Sequence, residues 1–169
     1  EIEEFILSFI RERVAQRIAT ITKRHDIIDA VVNSHTSSIP EQLKAAKVLS
    51  AVSESEEFKG ITEALNRVIN ISAKAQDDAS GEILEDRLET ESERTLVKAI
   101  KELHSKVQTL TPEELYSHLE AMAPKINDFF NENMVMVDDE AVRRNRLRFL
   151  GLLSQIILDF ADFTSLIVK

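Results

Sequence analysis

The sequence has no cysteine, and only three glycines and three prolines among its 169 residues. Without cysteine the chain can form neither a disulfide nor a thiolate metal site, so we expect a reducing, cytoplasmic environment. So few glycines and prolines leave little material for tight hairpins, and no alternating run has a partner run at hairpin distance. The sequence therefore predicts an all-α fold.

Patterns typical of catalysis are also missing. The four histidines are scattered, and none belongs to a spacing known for metal ligands. No nucleophile elbow, Walker motif or dinucleotide fingerprint occurs, and the glycines are too far apart to cradle a phosphate. No apolar run approaches the roughly 18 residues of a membrane span. We expect no catalytic residue, metal or cofactor within these residues, and no membrane partner.

Apolar spacing and capping signals predict a bundle of six to seven helices. Helices are predicted near 2–22, 25–32, 39–53, 56–75, 91–107, 112–130 and 140–167. Thr90 and Thr111 each stand three residues before a glutamate, the pattern of a capping box, and Asp138 or Asp139 caps the last helix. Pro124 is expected to end or kink the sixth helix, because it lacks an N–H.

The first helix repeats apolar side chains at helical spacing, the pattern that predicts a helix over 2–22. These side chains are Ile6, Leu7, Ile10, Val14, Ile18 and Ile21.

Length and charge describe the organisation of the chain. We expect a single helical domain over 1–169, and the first residue, Glu1, suggests a fragment of a longer subunit. Residues 77–93 hold eight acidic side chains against Arg87 alone, which predicts an acidic linker near 77–90. Because such a segment repels phosphate, we expect it to lie away from any bound RNA.

Positive charge is concentrated at the start of the last helix. Four arginines occur within 143–148, although the formal net charge of the chain is -9. On a helical wheel Arg144 and Arg148 lie opposite the apolar face, where solvation is the ordinary interpretation. Asn145 and Arg146 instead lie within the apolar arc.

An arginine that points into a core must be paired, because an unpaired buried charge is very costly. Two alternatives stay open for Arg146. It can brace the structure by bonding Asp138, Asp139 or carbonyls of the connector 134–137, which is predicted to be extended. It can instead project with Asn145 into a cleft, where it would contact a ligand.

The fourth helix carries a possible companion surface. Glu63, Arg67, Asn70 and Lys74 share one helical stripe. Most such stripes are simply solvated, but arginine and asparagine together suit hydrogen bonds to phosphates and base edges.

The segment "PKINDFFNENMVMVDDEAVRRNRLRFL" (124–150) resembles the C-terminal signature of the bacterial glycyl-tRNA synthetase beta subunit. In that family a proline, two phenylalanines, a V-M-V-M-like connector and D-E-A-L-R-x-N-R-L follow in this order. "HDIIDAVV" (25–32) and "NRVINI" (66–71) resemble two further family segments. This sequence departs from the pattern at Val142, in place of leucine, and at Asn133, where the family usually has an apolar residue.

The resemblance implies an all-helical, DALR-type anticodon-binding domain that binds the anticodon stem-loop of a glycine-accepting tRNA. It implies that the complete enzyme attaches glycine with ATP and Mg, and has the remainder of the beta subunit and a separate alpha subunit as partners. Because aromatic residues are few, arginine planes or methionines would contact the unpaired bases. The residues proposed to bind tRNA are Arg143, Arg144, Asn145, Arg146, Arg148, Arg67, Asn70, Lys74, Met134 and Met136. The alternative is a helical protein–protein scaffold without RNA contact, which the acidic net charge favours.

Overall fold

A computed structural model describes residues 1–75 and 81–169, and within these ranges the chain forms seven α-helices and no strand. The helices are α1 (Ile2–Ile18), α2 (His25–Val32), α3 (Ile39–Val52), α4 (Glu57–Lys74), α5 (Glu91–Lys106), α6 (Pro112–Glu132) and α7 (Glu140–Phe160). Short 3₁₀ turns occupy Glu85–Arg87, Val107–Thr109 and Phe163–Ser165. The all-α prediction is confirmed. None of the described helices has the length and apolar character that crossing a membrane demands.

The helix starts follow the predicted capping chemistry. Thr90 accepts a hydrogen bond from the N–H of Glu93, whose carboxylate accepts the N–H of Thr90 at 3.0 Å. Thr111 and Glu114 form the same reciprocal pair at the start of α6. Asp139 caps α7 by accepting the N–H groups of its first turn. These local signals therefore fix where α5, α6 and α7 begin.

Pro124 does not end its helix, since α6 continues through it to Glu132; of the two predicted outcomes, an end or a kink, the end is wrong. Both halves of α6 are buried: Leu119 and Met122 precede the proline, and Ile126 and Phe129 follow it. Apolar burial on both sides outweighs the backbone hydrogen bond that a proline removes.

The last helix is shorter than predicted. It ends at Phe160 rather than near Ile167, and Ala161 is extended. Beyond it the chain bonds to α2: the N–H of Asp162 donates to the carbonyl of Ala30 at 2.8 Å, and the N–H of Ile167 donates to Asp26 at 2.9 Å. Tertiary hydrogen bonds therefore replace a further helical turn.

Asp26 also accepts two hydrogen bonds from the Arg24 guanidinium, at 2.7 and 3.1 Å. Burial alone would raise the pKa of the Asp26 carboxyl. The hydrogen bonds from Arg24 and from the N–H of Ile167, with the charge of Arg24, outweigh burial and hold this pKa below its ordinary value.

The predicted first helix forms, but it ends at Ile18 rather than near residue 22. Val14 and Ile18 are buried against the body of the protein, whereas Ile6, Leu7 and Ile10 are exposed. The helix packs against α2 and α3 through its second half, and its first half projects from the bundle.

Candidate nucleic-acid interface

The connector between α6 and α7, residues 134–137, alternates inward and outward side chains. Val135 is buried, whereas Met134 and Met136 are 74% and 61% exposed. The N–H of Val137 donates to the carbonyl of Val135 at 3.0 Å, so the connector is bent rather than fully extended. The bend presents two flexible, polarizable thioethers to solvent at one end of the bundle.

Two arginines of α7 hold the two ends of this connector. Nη1 of Arg146 donates to the carbonyl of Met134 at 2.5 Å. Nη1 of Arg143 donates to the carbonyl of Val137 at 3.0 Å. Because both arginines belong to one helix, these two bonds fix the path of the four-residue connector.

Arg146 is itself held in a buried ion pair. Arg146 is only 4% exposed, and its Nε donates to Oε1 of Glu93 at 2.5 Å. Nη2 donates to Glu89 at 3.0 Å and to Oδ1 of Asn133 at 3.3 Å. The structure therefore supports the brace, and a connector carbonyl is among its partners as predicted. The acidic partners are Glu93 and Glu89, so the choice of Asp138 or Asp139 was wrong.

Glu93 and Asn133 complete the network, and the sequence did not assign either of them to the site. The second carboxylate oxygen of Glu93 accepts the N–H groups of Glu89 and Thr90, so one side chain both caps α5 and pairs Arg146. Asn133 donates to Ser92 and to the carbonyl of Phe129, both at 2.9 Å. A polar residue stands at position 133 because it joins the end of α6 to the start of α5.

Asn145, which lies in the apolar arc, is 1% exposed. Its side-chain oxygen accepts the N–H of Leu84 at 2.7 Å, and its amide donates to the carbonyl of Leu84 at 2.9 Å. Since both ends of the side-chain amide are bonded within the chain, Asn145 anchors the segment 81–89 on α7.

That segment contains the described part of the acidic linker, while residues 77–80 lie outside the described residues. Arg148 is half-buried against Gly81, whose φ of 107° favours glycine, and donates to the carbonyl of Glu82 at 3.2 Å. The Lys101 ammonium donates a hydrogen bond to Glu85 and lowers the pKa of that carboxyl. The acidic segment therefore lies on α7 close to Arg148.

Arg144 and the α4 stripe remain at the surface. Arg144 is exposed and forms an ion pair with Glu140 at 2.6 Å. The Arg67 guanidinium lies 4.1 Å from the centroid of the Phe130 ring. Because Phe130 stands three residues before Asn133, α4 packs against the end of α6 that leads into the connector. Asn70 and Lys74 are exposed and continue the stripe towards the end of α4.

These features define a class of protein: an all-α module with an exposed, braced connector. Within the described residues no cluster of three or more histidine or acidic side chains could hold a metal ion. A family model described as the DALR anticodon binding domain matches residues 61–162, from α4 to the end of α7. The chain therefore belongs to the DALR anticodon binding domain family.

Curated relatives cover nearly the whole chain, and three of them are each named glycine--tRNA ligase beta subunit. The protein from Lactiplantibacillus plantarum is 36% identical over 97% of this chain and 24% of its own length. Relatives from Lacticaseibacillus casei and Streptococcus pyogenes are 36% and 37% identical, over 96% and 97% of this chain and 23% of each relative. This confirms the resemblance stated from residues 124–150. The chain spans about a quarter of the length of the curated relatives it matches.

Proposed function

We propose that this chain is the anticodon-binding domain of a glycine–tRNA ligase beta subunit, and that it binds the anticodon stem-loop of a glycine-accepting tRNA. The observation that carries the proposal is the braced connector, which exposes Met134 and Met136 beside the end of α6. Proteins that recognise RNA loops contact unpaired bases through apolar or planar side chains and hold phosphates with cations.

Three features of the surface suit such a loop. Met134 and Met136 supply soft apolar contacts for the faces of bases. The Arg67 guanidinium has one face on the Phe130 ring at 4.1 Å, and its other face can stack on a base. Arg144 and Lys74 are exposed cations for phosphates. Arg143, Asn145, Arg146 and Arg148 then contribute by holding the connector and the segment 81–89 in place.

The activity of the whole polypeptide is a further proposal. The names of the relatives suggest a ligase that joins glycine to tRNA. We propose that this reaction uses ATP with Mg, occurs in the cytoplasm and requires a separate alpha subunit. The chain described here would contribute tRNA binding, and the reactive groups would lie elsewhere.

A protein-binding scaffold is the second candidate, because exposed methionines also suit adaptable contacts with other proteins. The two candidates differ in their response to salt. Binding to RNA weakens steeply as salt rises, since each phosphate contact releases counterions.

The test is a binding measurement with glycine-accepting tRNA and an anticodon-swapped tRNA at several salt concentrations. We expect Met134→Ser with Met136→Ser to weaken binding of the glycine-accepting tRNA about tenfold, roughly 1.4 kcal/mol, and the swapped tRNA less. Ile167→Ser is the matched control, because Ile167 is equally exposed but lies on the C-terminal tail. Absence of tRNA binding at low salt, or binding indifferent to the methionines, would contradict the proposal.

A double-mutant cycle distinguishes a brace from a base-reading role for Arg146. If Arg146 acts by holding the connector, Arg146→Lys should weaken tRNA binding in the parent chain and add little to the methionine variant. If Arg146 contacts RNA directly, the two losses should add. The melting temperature of each variant serves to confirm that the measured chains are folded.

A further inference from the structure

The first three turns of α1 present large apolar side chains to solvent. Each of the following is between 44% and 78% exposed: Ile2, Phe5, Ile6, Leu7, Phe9 and Ile10. Only Val14 and Ile18, further along the helix, are buried. Single exposed apolar residues are ordinary on a protein surface, but a contiguous group of this size marks an interaction site.

The arrangement of these side chains indicates how they would be covered. At 100° per residue, the six exposed residues spread over an arc of about 200°. Val14 and Ile18 lie at one edge of that arc, where α1 meets α2 and α3. A helix that lies on one surface needs an apolar stripe of about 100°. An arc twice as wide fits a helix enclosed on more than one side.

The chemistry of the arc argues for a protein occupant. Aliphatic and aromatic side chains dominate it, and the Arg13 guanidinium lies over the Phe9 ring, 5.1 Å from its centroid. The charged residues of this half-helix have both signs: Glu3, Glu4 and Glu12 are acidic, and Arg11 and Arg13 are basic. Such a surface does not attract an RNA backbone, which requires uncompensated positive charge.

The length of the relatives supports one choice of covering surface. They match this chain over nearly all its residues but over only 24% and 23% of their own lengths. Moreover, the matched family model begins at residue 61, so α1 lies outside it. We propose that the first three turns of α1 form an interface with the remainder of a longer beta-subunit polypeptide, and that they insert between two of its elements. This rests on the part of the proposed function that places the chain in such a subunit, and not on tRNA binding.

The experiment compares amide hydrogen exchange of residues 3–12 in the 169-residue chain and in the full-length product of the same gene, both without tRNA. We expect fast exchange in the chain and at least about tenfold slower exchange in the full-length protein. Phe5→Ser with Phe9→Ser should abolish this protection in the full-length protein and leave the melting temperature of the chain within about 3 °C. Glu4→Gln with Glu12→Gln, on the polar arc of the same turns, is the matched control.

Two results would overturn the proposal. Equally fast exchange in both proteins would show that nothing covers the helix. Protection that appears in the 169-residue chain and rises with its concentration would identify a second copy as the occupant. Because tRNA is absent throughout, these results can be interpreted even if the chain does not bind tRNA.

Discussion

The starts of α7 and α1 depart from the usual burial pattern in opposite directions. At the start of α7, Asn145 and Arg146 are buried, whereas at the start of α1, Phe5 and Ile6 are exposed. The polar residues can be buried because each has partners inside the protein, as buried polar groups require. The apolar residues are exposed because no described element covers them. Whether a side chain is buried at the start of either helix depends on the element that packs against it, and not on the residue type alone.

The difference has a functional meaning in both regions. A buried ion pair contributes little net stability compared with an apolar pair, but it does require one geometry. Around Arg146, the required geometry determines the path of the connector. An exposed apolar surface contributes no stability until it is covered. At α1 it therefore marks where another surface would bind.

The largest expected effect comes from breaking the buried pair. Glu93→Ala removes the partner of Arg146 Nε and the capping group of α5, so we expect a loss of about 3–5 kcal/mol in the free energy of unfolding. Urea denaturation measures it. Glu91→Ala is the control, because Glu91 lies in the same first turn with its side chain 84% exposed, and its loss should be within about 0.5 kcal/mol. If Glu93→Ala fails to fold, Glu93→Gln, which retains a capping oxygen, should show an intermediate loss. A loss below about 1 kcal/mol for Glu93→Ala would refute the brace.

Local signals predicted the parts of this site that depend on neighbours in sequence. A cap at Asp138 or Asp139, and the place of Asn145 and Arg146 in the apolar arc, follow from helix chemistry and from the helical wheel. Whether that arc is packed or open to a cleft does not follow from them. The partner of Arg146 could not be predicted in this way, because Glu93 lies 53 residues away. Its position in a capping box already explains, from the sequence alone, why a glutamate stands there. A carboxylate that serves two groups at once is visible only when the helices are packed.

The same limit applies to the ends of helices. The early end of α7 depends on a backbone hydrogen bond from Asp162 to Ala30, far apart in sequence. The helical spacing of α1 correctly predicted a helix and an apolar face. Periodicity cannot say whether a neighbour is present to cover that face, so the exposure of Ile6 and Ile10 could not be predicted.

A second, smaller effect concerns the support on which α1 packs. Asp26 accepts hydrogen bonds from Arg24 and from the N–H of Ile167. We therefore expect Asp26→Asn to lower the free energy of unfolding by about 1–3 kcal/mol. The pKa of Asp26 is lower in the folded chain than in the unfolded chain. Its contribution is therefore complete above the ordinary aspartate pKa of about 3.9 and is lost as pH falls below it. Asp29→Asn, an exposed change on the same helix, is the control. The cost of Asp26→Asn should shrink at low pH, and a cost that is constant from pH 7 to pH 3 would contradict this assignment.

The smallest effect tests the comparison within a single helix. Val14 and Ile6 both belong to the apolar pattern of α1, but Val14 is 5% exposed and Ile6 is 50% exposed. Val14→Ala should therefore destabilise the 169-residue chain by about 1–2.5 kcal/mol, because it leaves a cavity against the body of the protein. Ile6→Ala loses little packing in the chain and gains helix propensity, so its effect should lie within about 0.5 kcal/mol and can be stabilising. Urea denaturation of both variants at matched concentrations gives the two values. In the full-length product the difference between the two losses of stability should be smaller, because Ile6 would then be covered. If Ile6→Ala is already as costly as Val14→Ala in the isolated chain, the first turns of α1 are packed there and the proposed interface is wrong.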